Sequence, residues 1–223
     1  MIVGIIQARL GSRRFPGKML YPLHGIPLVE WVYRRVMRST YLNRVVFAIP
    51  STTQDDELNN FLCSIGAEVF RGSELNVVDR FYQAAQYTEA DTIIRICADN
   101  PFVSGEVIDI LIDFFKKNKF DYAYNHVPKN CNWPDGLGAE ICSSDLLHLI
   151  YLNANGAAQR EHLFNYILEN KQKFNIGSAP VPTDLAYPEL KFDVDTIQDL
   201  VRLRCMPYRV EMTPVEIIRT ALG

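Results

Sequence analysis

Cysteine is sparse and poorly spaced for chemistry. Cys63, Cys97, Cys131, Cys142 and Cys205 are odd in number and contain no CxxC pair. A zinc knuckle and a disulfide framework do not fit that spacing, which predicts free, mostly buried thiols in a reducing compartment. Long apolar runs are missing as well. No stretch could span a bilayer, and the apolar run before Arg9 is too short for a secretory leader. A cytoplasmic protein with no membrane partner is expected. Positive charge shows no excess: 23 Lys and Arg stand against 26 Asp and Glu, a formal net charge of −3. A general nucleic-acid binder carries a basic face or domain, so nucleic acid is not the expected partner. No repeat, low-complexity tract or linker breaks the chain, and a single domain over residues 1–223 follows.

What remains is an ordinary globule, 48% hydrophobic and 22% charged, long enough to bury a core without staples. "MIVGIIQA" is a continuous apolar run, as in a strand covered on both faces. "IPLVEWVYRRVMRS" places Val29, Val32, Tyr33 and Val36 at helical spacing. "RVVFAIP" reads as a second strand stopped by Pro50, followed by a helix of about residues 54–65 burying Leu58, Phe61, Leu62 and Ile65. "AEVFRG" and "DTIIRICAD" read as further strands, with "NVVDRFYQAAQY" and "GEVIDILIDFFKKN" as helices. This β-α-β-α order predicts an α/β fold, a mostly parallel sheet with helices on both faces. Beyond residue 120 the pattern loosens. "FDYAYN", "LGAEICS" and "KFDVD" read as strands of a mixed extension, separated by helices near 143–153, 159–170, 196–206 and 213–222. The last opens on Thr213-Pro214-Val215-Glu216, a capping box with proline at the first helical position.

One segment departs from the acidic balance. "IIQARLGSRRFPGKML" sets Arg9, Arg13, Arg14 and Lys18 with Gly11 and Gly17 directly after the first strand. In a parallel sheet, ligands settle beyond the carboxyl ends of the strands. Glycines let the backbone turn sharply or approach a ligand, exposed N–H groups cradle oxyanions, and cations neutralise them. Polyphosphate fits this loop; a merely solvated charged loop is the alternative. It is not a Walker A sequence, because Met19 stands where Ser or Thr would take magnesium, and it is not GxGxxG.

The same segment closely resembles the signature of cytidylyltransferases of the spore-coat polysaccharide F type, relatives of the CMP-KDO and CMP-sialic acid synthetases. "FRGSELNVVDRFYQAA", "RICADNPFV", "PDGLGAEICS", "REHLFNYI" and "KFDVDTIQDL" are similar, in order, to the later blocks of that family. The resemblance implies a Rossmann-like three-layer nucleotidyltransferase fold with a mostly parallel mixed sheet. It divides the domain into a mainly nucleotide-binding part, residues 1–120, and a mainly acceptor-binding and dimerising part, residues 121–190. The implied reaction is attack by an acceptor oxygen on the α-phosphorus of CTP, with loss of pyrophosphate and dependence on Mg²⁺. Arg9, Arg14 and Lys18 match the triphosphate loop, with Gln7, Ala8, Gly11 and Ser12 as its backbone and small-residue part. Arg13 stands where relatives have Thr and faces water.

Asp99 matches the family's metal aspartate and Asp195 its late V-D-T aspartate. Two carboxylates plus substrate phosphates are a usual magnesium arrangement. An Asx turn before Pro101 and a helix N-terminal carboxylate are the structural alternatives. Ser73 and Arg80 fall in the block near the nucleotide; a helix cap and a surface pair with Asp79 are the alternatives. Arg95, inside a strand, needs a phosphate or an internal carboxylate if buried. Asn125, Asp135, Gly136, Glu140, Arg160, Glu161 and His162 match positions in or around the acceptor pocket, with His162 also readable as a structural histidine. Trp133 and Tyr124 either line that pocket or pack.

Four departures bear on the acceptor: Ala98 before Asp99, Asn100 after it, Gly138 in place of an aspartate, and Lys129 where many relatives show arginine. Loss of a carboxylate at Gly138 predicts a pocket open to a more anionic, phosphorylated acceptor, which Gly138→Asp would exclude. The resulting expectation is a CTP:acceptor cytidylyltransferase acting on an acidic sugar or a small phosphorylated acid, forming a homodimer. A nucleotide-binding module without chemistry and a glycosyltransferase are the competing readings.

Overall fold

A computed structural model describes residues 1–125 and 131–223. The first half runs β1 (Ile2–Gln7), the hairpin β2 (Pro22–Leu23) and β3 (Ile26–Pro27), α1 (Leu28–Val36), β4 (Arg44–Pro50) and α2 (Asp56–Ser64). It continues through β5 (Glu68–Gly72), α3 (Val77–Tyr87), β6 (Thr92–Cys97) and α4 (Gly105–Lys117). The second half adds β7 (Tyr122–Tyr124), β8 (Glu140–Ser143), α5 (Ser144–Asn153), α6 (Ala157–Glu161) and α7 (Asn165–Glu169). β9 (Ile176–Ser178), α8 (Ile197–Arg204) and α9 (Pro214–Leu222) complete it.

Seven strands form one sheet in the order β5-β4-β1-β6-β8-β7-β9. β5, β4, β1 and β6 are parallel; β8 runs antiparallel to both β6 and β7, and β9 lies parallel to β7. The sheet is mixed and mostly parallel, as its apolar runs predict. Strand alternation sorts those runs onto two faces. Ile6, Phe47, Ile49, Ile94 and Ile96 pack with the inner residues of α1, α2 and α4. Val3, Ile5, Val46, Ala48 and Ile93 pack with those of α3, α5 and α7. A third cluster, around Trp31, Phe102, Trp133, Phe192, Leu200 and Ile217, seats the C-terminal helices. Arg35 ties that cluster to the sheet: its buried guanidinium donates to the carbonyls of Phe102, Val103, Val210 and Met212. Burial first, then Arg38, pushes its pKa down to about 10.

Several expectations are corrected. "KFDVD" forms no strand; it makes one isolated parallel bridge, Lys191 to Asp135. Beyond that bridge Phe192 and Val194 turn into the third cluster, and Val194 N–H donates to Asp99 O at 2.8 Å. The helix expected over 159–170 is broken into α6 and α7. Between them the consecutive Leu163 and Phe164 are both buried, and Asn165 Nδ2 donates back to Ala158 O at 3.2 Å. α3 is capped by Asn76, whose side chain accepts from Asp79 N–H, and not by Ser73. β9 and the β2–β3 hairpin were too short to carry a pattern; the hairpin turns on His24 at φ 48° and Gly25 at φ 82°. Among the described residues, no helix is long and apolar enough to cross a membrane.

Candidate active site

The basic loop folds around one carbonyl. Ser12 N–H and Gly17 N–H both donate to Leu10 O, at 2.8 and 3.0 Å. Gly17 sits at φ 71°, a left-handed position that favours glycine, and from it Lys18 enters a short 3-10 turn. Ser12 Oγ accepts from Phe15 N–H at 3.4 Å, and Phe15 is buried beneath the loop. Ala8 is buried as well, while Arg9, Arg13 and Arg14 are exposed. The loop rests on the turn before α2. Asp55, 2% exposed, accepts from Leu10 N–H at 2.7 Å and from Thr52 Oγ1 at 2.7 Å. Asp55 and Thr52 escaped the sequence reading, although the polar stretch "STTQDD" directly after strand β4 was the available signal.

Lys18 turns from this loop toward two other segments. Its Nζ lies 3.0 Å from Asp99 Oδ2, 2.8 Å from Val194 O and 3.6 Å from Asp195 Oδ1. Arg14 Nη2 donates to the same Asp195 oxygen at 2.7 Å. Asp195 is therefore not the capping carboxylate of α8. That role falls to Asp199 and Thr196: Asp199 Oδ2 accepts from Asp195 N–H and Thr196 N–H at 3.1 and 2.8 Å. Burial, which opposes ionisation of Asp199, is outweighed by these bonds, and its pKa falls. Arg14, Lys18, Asp99 and Asp195, predicted from three separate segments, thus meet at one point on the carboxyl edge of the sheet.

The surroundings are acidic. Asp135 is pushed up to about 6, first by burial and then by Asp193, with Asp99 and Asp195 adding to it. Burial raises Asp193 too, against its ion pair with Lys191 at 3.4 Å, and its Oδ1 is buried without a hydrogen-bond partner among the described residues. Asp99 and Asp195 already share one cation, the Lys18 ammonium. Hard carboxylate oxygens converging on a single positive charge are the donor chemistry that magnesium takes. The residues present fit such an ion.

Other predicted positions are occupied differently. Arg80 is fully buried; Nη1 donates to the carbonyls of Ser73 and Glu74, and Nε has no partner among the described residues. Burial first, then the charge of Arg9, brings its pKa down to about 10. The alternative reading, a surface pair with Asp79, is not made among the described residues. Arg95 takes the internal-carboxylate alternative: it pairs with Glu140, which also accepts from Tyr122 Oη. In this arrangement both residues are committed to each other before any ligand arrives.

On the acceptor side, Asn125 is buried, with Nδ2 donating to Val107 O at 2.8 Å and Oδ1 accepting from Ala139 N–H at 2.9 Å. It joins α4 to β8 instead of facing a pocket. Gly136, at φ 89°, lies against the backbone of Phe192 and Asp193, where a Cβ would come within 2.8 Å of Asp193 N. At Gly138 a Cβ would stand 2.0 Å from Asn125 O. No side chain fits there, so Gly138 is a packing glycine and its substitution cannot report acceptor charge. Trp133 is buried, with Nε1 donating to Ala179 O at 2.8 Å. Arg160, Glu161 and His162 are exposed on or just after α6, and Arg160 Nε donates to Ala154 O at 3.1 Å. Among the described residues, no hydrogen bond or ion pair joins these three to the Lys18 cluster. Lys129 lies outside the described residues.

Over most of its length the chain is similar to known proteins. Residues 3–212 match the family model described as Cytidylyltransferase. The spore coat polysaccharide biosynthesis protein SpsF of Bacillus subtilis is 31% identical over 210 residues, 92% of this chain and 85% of that one. A 3-deoxy-manno-octulosonate cytidylyltransferase of Fusobacterium nucleatum is 35% identical over 120 residues, 52% of this chain and 47% of that protein. Among solved structures, a cytidylyltransferase from Leptospira borgpetersenii superposes with a TM-score of 0.90 at 26% identity, covering 98% of this chain and 92% of that one.

Proposed function

The chain belongs to the cytidylyltransferase family, and from that premise we propose a Mg²⁺-dependent transfer of CMP from CTP to an acidic sugar or small phosphorylated acid. Pyrophosphate is the second product, and the reaction serves surface-polysaccharide biosynthesis. The observation that carries this reading is the meeting of Arg14 and Lys18 with Asp99 and Asp195.

The acceptor oxygen, an ionised phosphate oxygen or a hydroxyl that gives up its proton to solvent, forms a new bond to the α-phosphorus as the bridging α–β P–O bond breaks, and pyrophosphate leaves with the electron pair. Charge therefore grows on the leaving group, and Lys18 and Arg14 are placed to neutralise it. Lys18 is nearly buried and held by Val194 O, so its ammonium is preorganised. Arg14, largely exposed, reaches in from the rim. Asp99 and Asp195 would hold magnesium, which when bound would supply Lewis-acid stabilisation of the phosphate charge. Among the described residues no three His, Cys, Asp or Glu gather to enclose a metal, so Asp99 and Asp195 are the pair that would hold it. No side-chain nucleophile is needed. A homodimer through the later half belongs to the same reading, and a mass measurement in solution tests it.

The test of function is pyrophosphate release from CTP, with UTP as control, against 3-deoxy-manno-octulosonate, N-acetylneuraminate and 3-phosphoglycerate. Turnover with one of these acids, abolished by EDTA and restored by Mg²⁺, is expected. CTP binding without turnover on any of them would favour the module without chemistry and overturn the proposal.

A further inference from the structure

One polar chain crosses the sheet between the two halves of the domain. Tyr122 of β7 donates to Glu140 of β8, and Glu140 is paired with Arg95 of β6. Arg95 in turn donates from Nε and Nη2 to Gln7 Oε1 at the end of β1, each at 3.4 Å. The register places all four on one face: Ile5 is level with Arg95, Gln7 with Cys97, Arg95 with Glu140, and Tyr122 with Cys142.

A guanidinium has donors and no acceptor, so the amide oxygen of Gln7 is the atom that must face it. The amide nitrogen is thereby turned away. Its two N–H groups have no hydrogen-bond partner among the described residues, and Gln7 is only half-buried. Gln7 O accepts from Ala98 N–H at 3.1 Å, which anchors its backbone beside the residue preceding Asp99, and its side chain lies level with Cys97. The chain that orients it runs through β6, β8 and β7, on the other side of β1 from β4 and β5; Ser73 follows β5 directly and Arg80 packs on Gly72. The charge of Arg95 is already balanced by Glu140, which leaves a neutral pair of donors at the seam.

We propose that Gln7 determines specificity on the acceptor side: its carboxamide, fixed by Arg95, presents two N–H donors to an anionic oxygen of the acceptor. Arg95 and Glu140 are positioning residues that act through it. A site built to hydrogen-bond an oxygen rejects an analogue lacking that oxygen, because its donors are then left unpaired. This inference rests on the cytidylyl transfer proposed above.

Gln7→Glu is the decisive variant. It is isosteric and keeps an oxygen toward Arg95, so the fold is retained, but it replaces the outward NH₂ by a charged oxygen. Gln7→Met removes the donors without adding charge. Each is assayed with whichever of 3-deoxy-manno-octulosonate, N-acetylneuraminate and 3-phosphoglycerate the wild type turns over, while the Kd for CTP is read separately by calorimetry. Acceptor KM should rise roughly 10- to 100-fold in Gln7→Met, the scale of a lost hydrogen bond to a charged group, and further in Gln7→Glu. The resemblance puts Gln7 in the triphosphate loop, but its carboxamide is held by Arg95, so only its backbone belongs there and CTP affinity should stay within about twofold, below the cost of even one such bond. In an Arg95→Met/Glu140→Gln background, which removes the orienting pair whole, the Gln7→Glu penalty should shrink. Equal acceptor KM in wild type and Gln7→Glu, or a CTP Kd rising in step with it, overturns the inference alone. A wild type that turns over none of the three acids overturns the transfer reading and this inference with it.

Discussion

Two strips of the domain, the basic loop at 9–18 and the strip at 135–140, treat their glycines and charges in opposite ways. In the nucleotide half, a Cβ built at Gly11 would approach only the end of a flexible side chain, Gln54 Oε1, at 3.3 Å. In the acceptor half, a Cβ at Gly138 would collide with backbone, at 2.0 Å from Asn125 O. The loop before α1 keeps Arg9, Arg13 and Arg14 exposed, whereas Asn125 and Glu140 are spent on internal partners. One strip presents its cations on a contiguous segment. The other uses much of its family pattern to hold β7, β8 and the 135–138 strip together.

The sharpest break of that contrast is at the loop itself. Lys18→Ala should lower turnover on the order of 10²–10³, the scale of deleting one preorganised electrostatic contact. Arg14→Ala should lose less, because its side chain is 65% exposed against 8% for Lys18, and solvent screens it. Steady-state kinetics on folded variants measures both. An Arg14→Ala loss as large as that of Lys18→Ala would mean that the exposed arginine is drawn into a dry site when CTP binds.

The acceptor half should fail by folding. Gly138→Ala is expected to cost at least ~3 kcal/mol, because the collision is with backbone that cannot swing aside. Gly11→Ala should stay within about 1 kcal/mol, since a glutamine terminus can move. Chemical denaturation of the pair reads the difference directly. Equal stability of the two would show that the strip at 135–138 relaxes.

An intermediate effect is expected where the loop meets its support. Asp55→Ala leaves Leu10 N–H buried without an acceptor, at about 1–3 kcal/mol. Asp55→Asn retains an oxygen for it and should recover most of that stability and of the CTP affinity, which calorimetry would follow.

Much of this arrangement was legible because it is local. The apolar runs of β1, β4 and β6 are continuous, and the loop's cations lie within ten residues of one another. The pairing of Arg95 with Glu140 was open, because sequence shows that a strand arginine needs a partner but not which one. "KFDVD" misled because its alternation matches a strand, yet Phe192 and Val194 serve the third cluster instead of a sheet. Asn125 and Gly138 were read as pocket residues on resemblance alone. Only the approach of two backbones, separated by the 126–137 stretch, reveals their packing role. Asp55 was missed because its partner, Leu10 N–H, is a backbone group that no side-chain motif records.

The smallest effect sharpens the same comparison through pH. Asp135, raised from 3.8 to about 6 by burial and then by Asp193, binds its proton more tightly folded than unfolded. The folded protein therefore holds an extra proton between those values, and stability falls as pH rises through that window. Above pH 6 both states are ionised there and the full penalty is present; below 3.8 both are protonated and it vanishes. Asp135→Asn removes the charge, so in metal-free buffer it should stabilise the protein at pH 7 and confer little at pH 3.5 to 4. Partial exposure discounts the gain at neutral pH to about 1–2 kcal/mol, roughly 2–8 °C in Tm for a chain of this size. Thermal melts of both proteins across the range test the sign as well as the size. A stabilisation that does not change with pH would remove the charge crowding and leave Asp135 as an ordinary packing carboxylate.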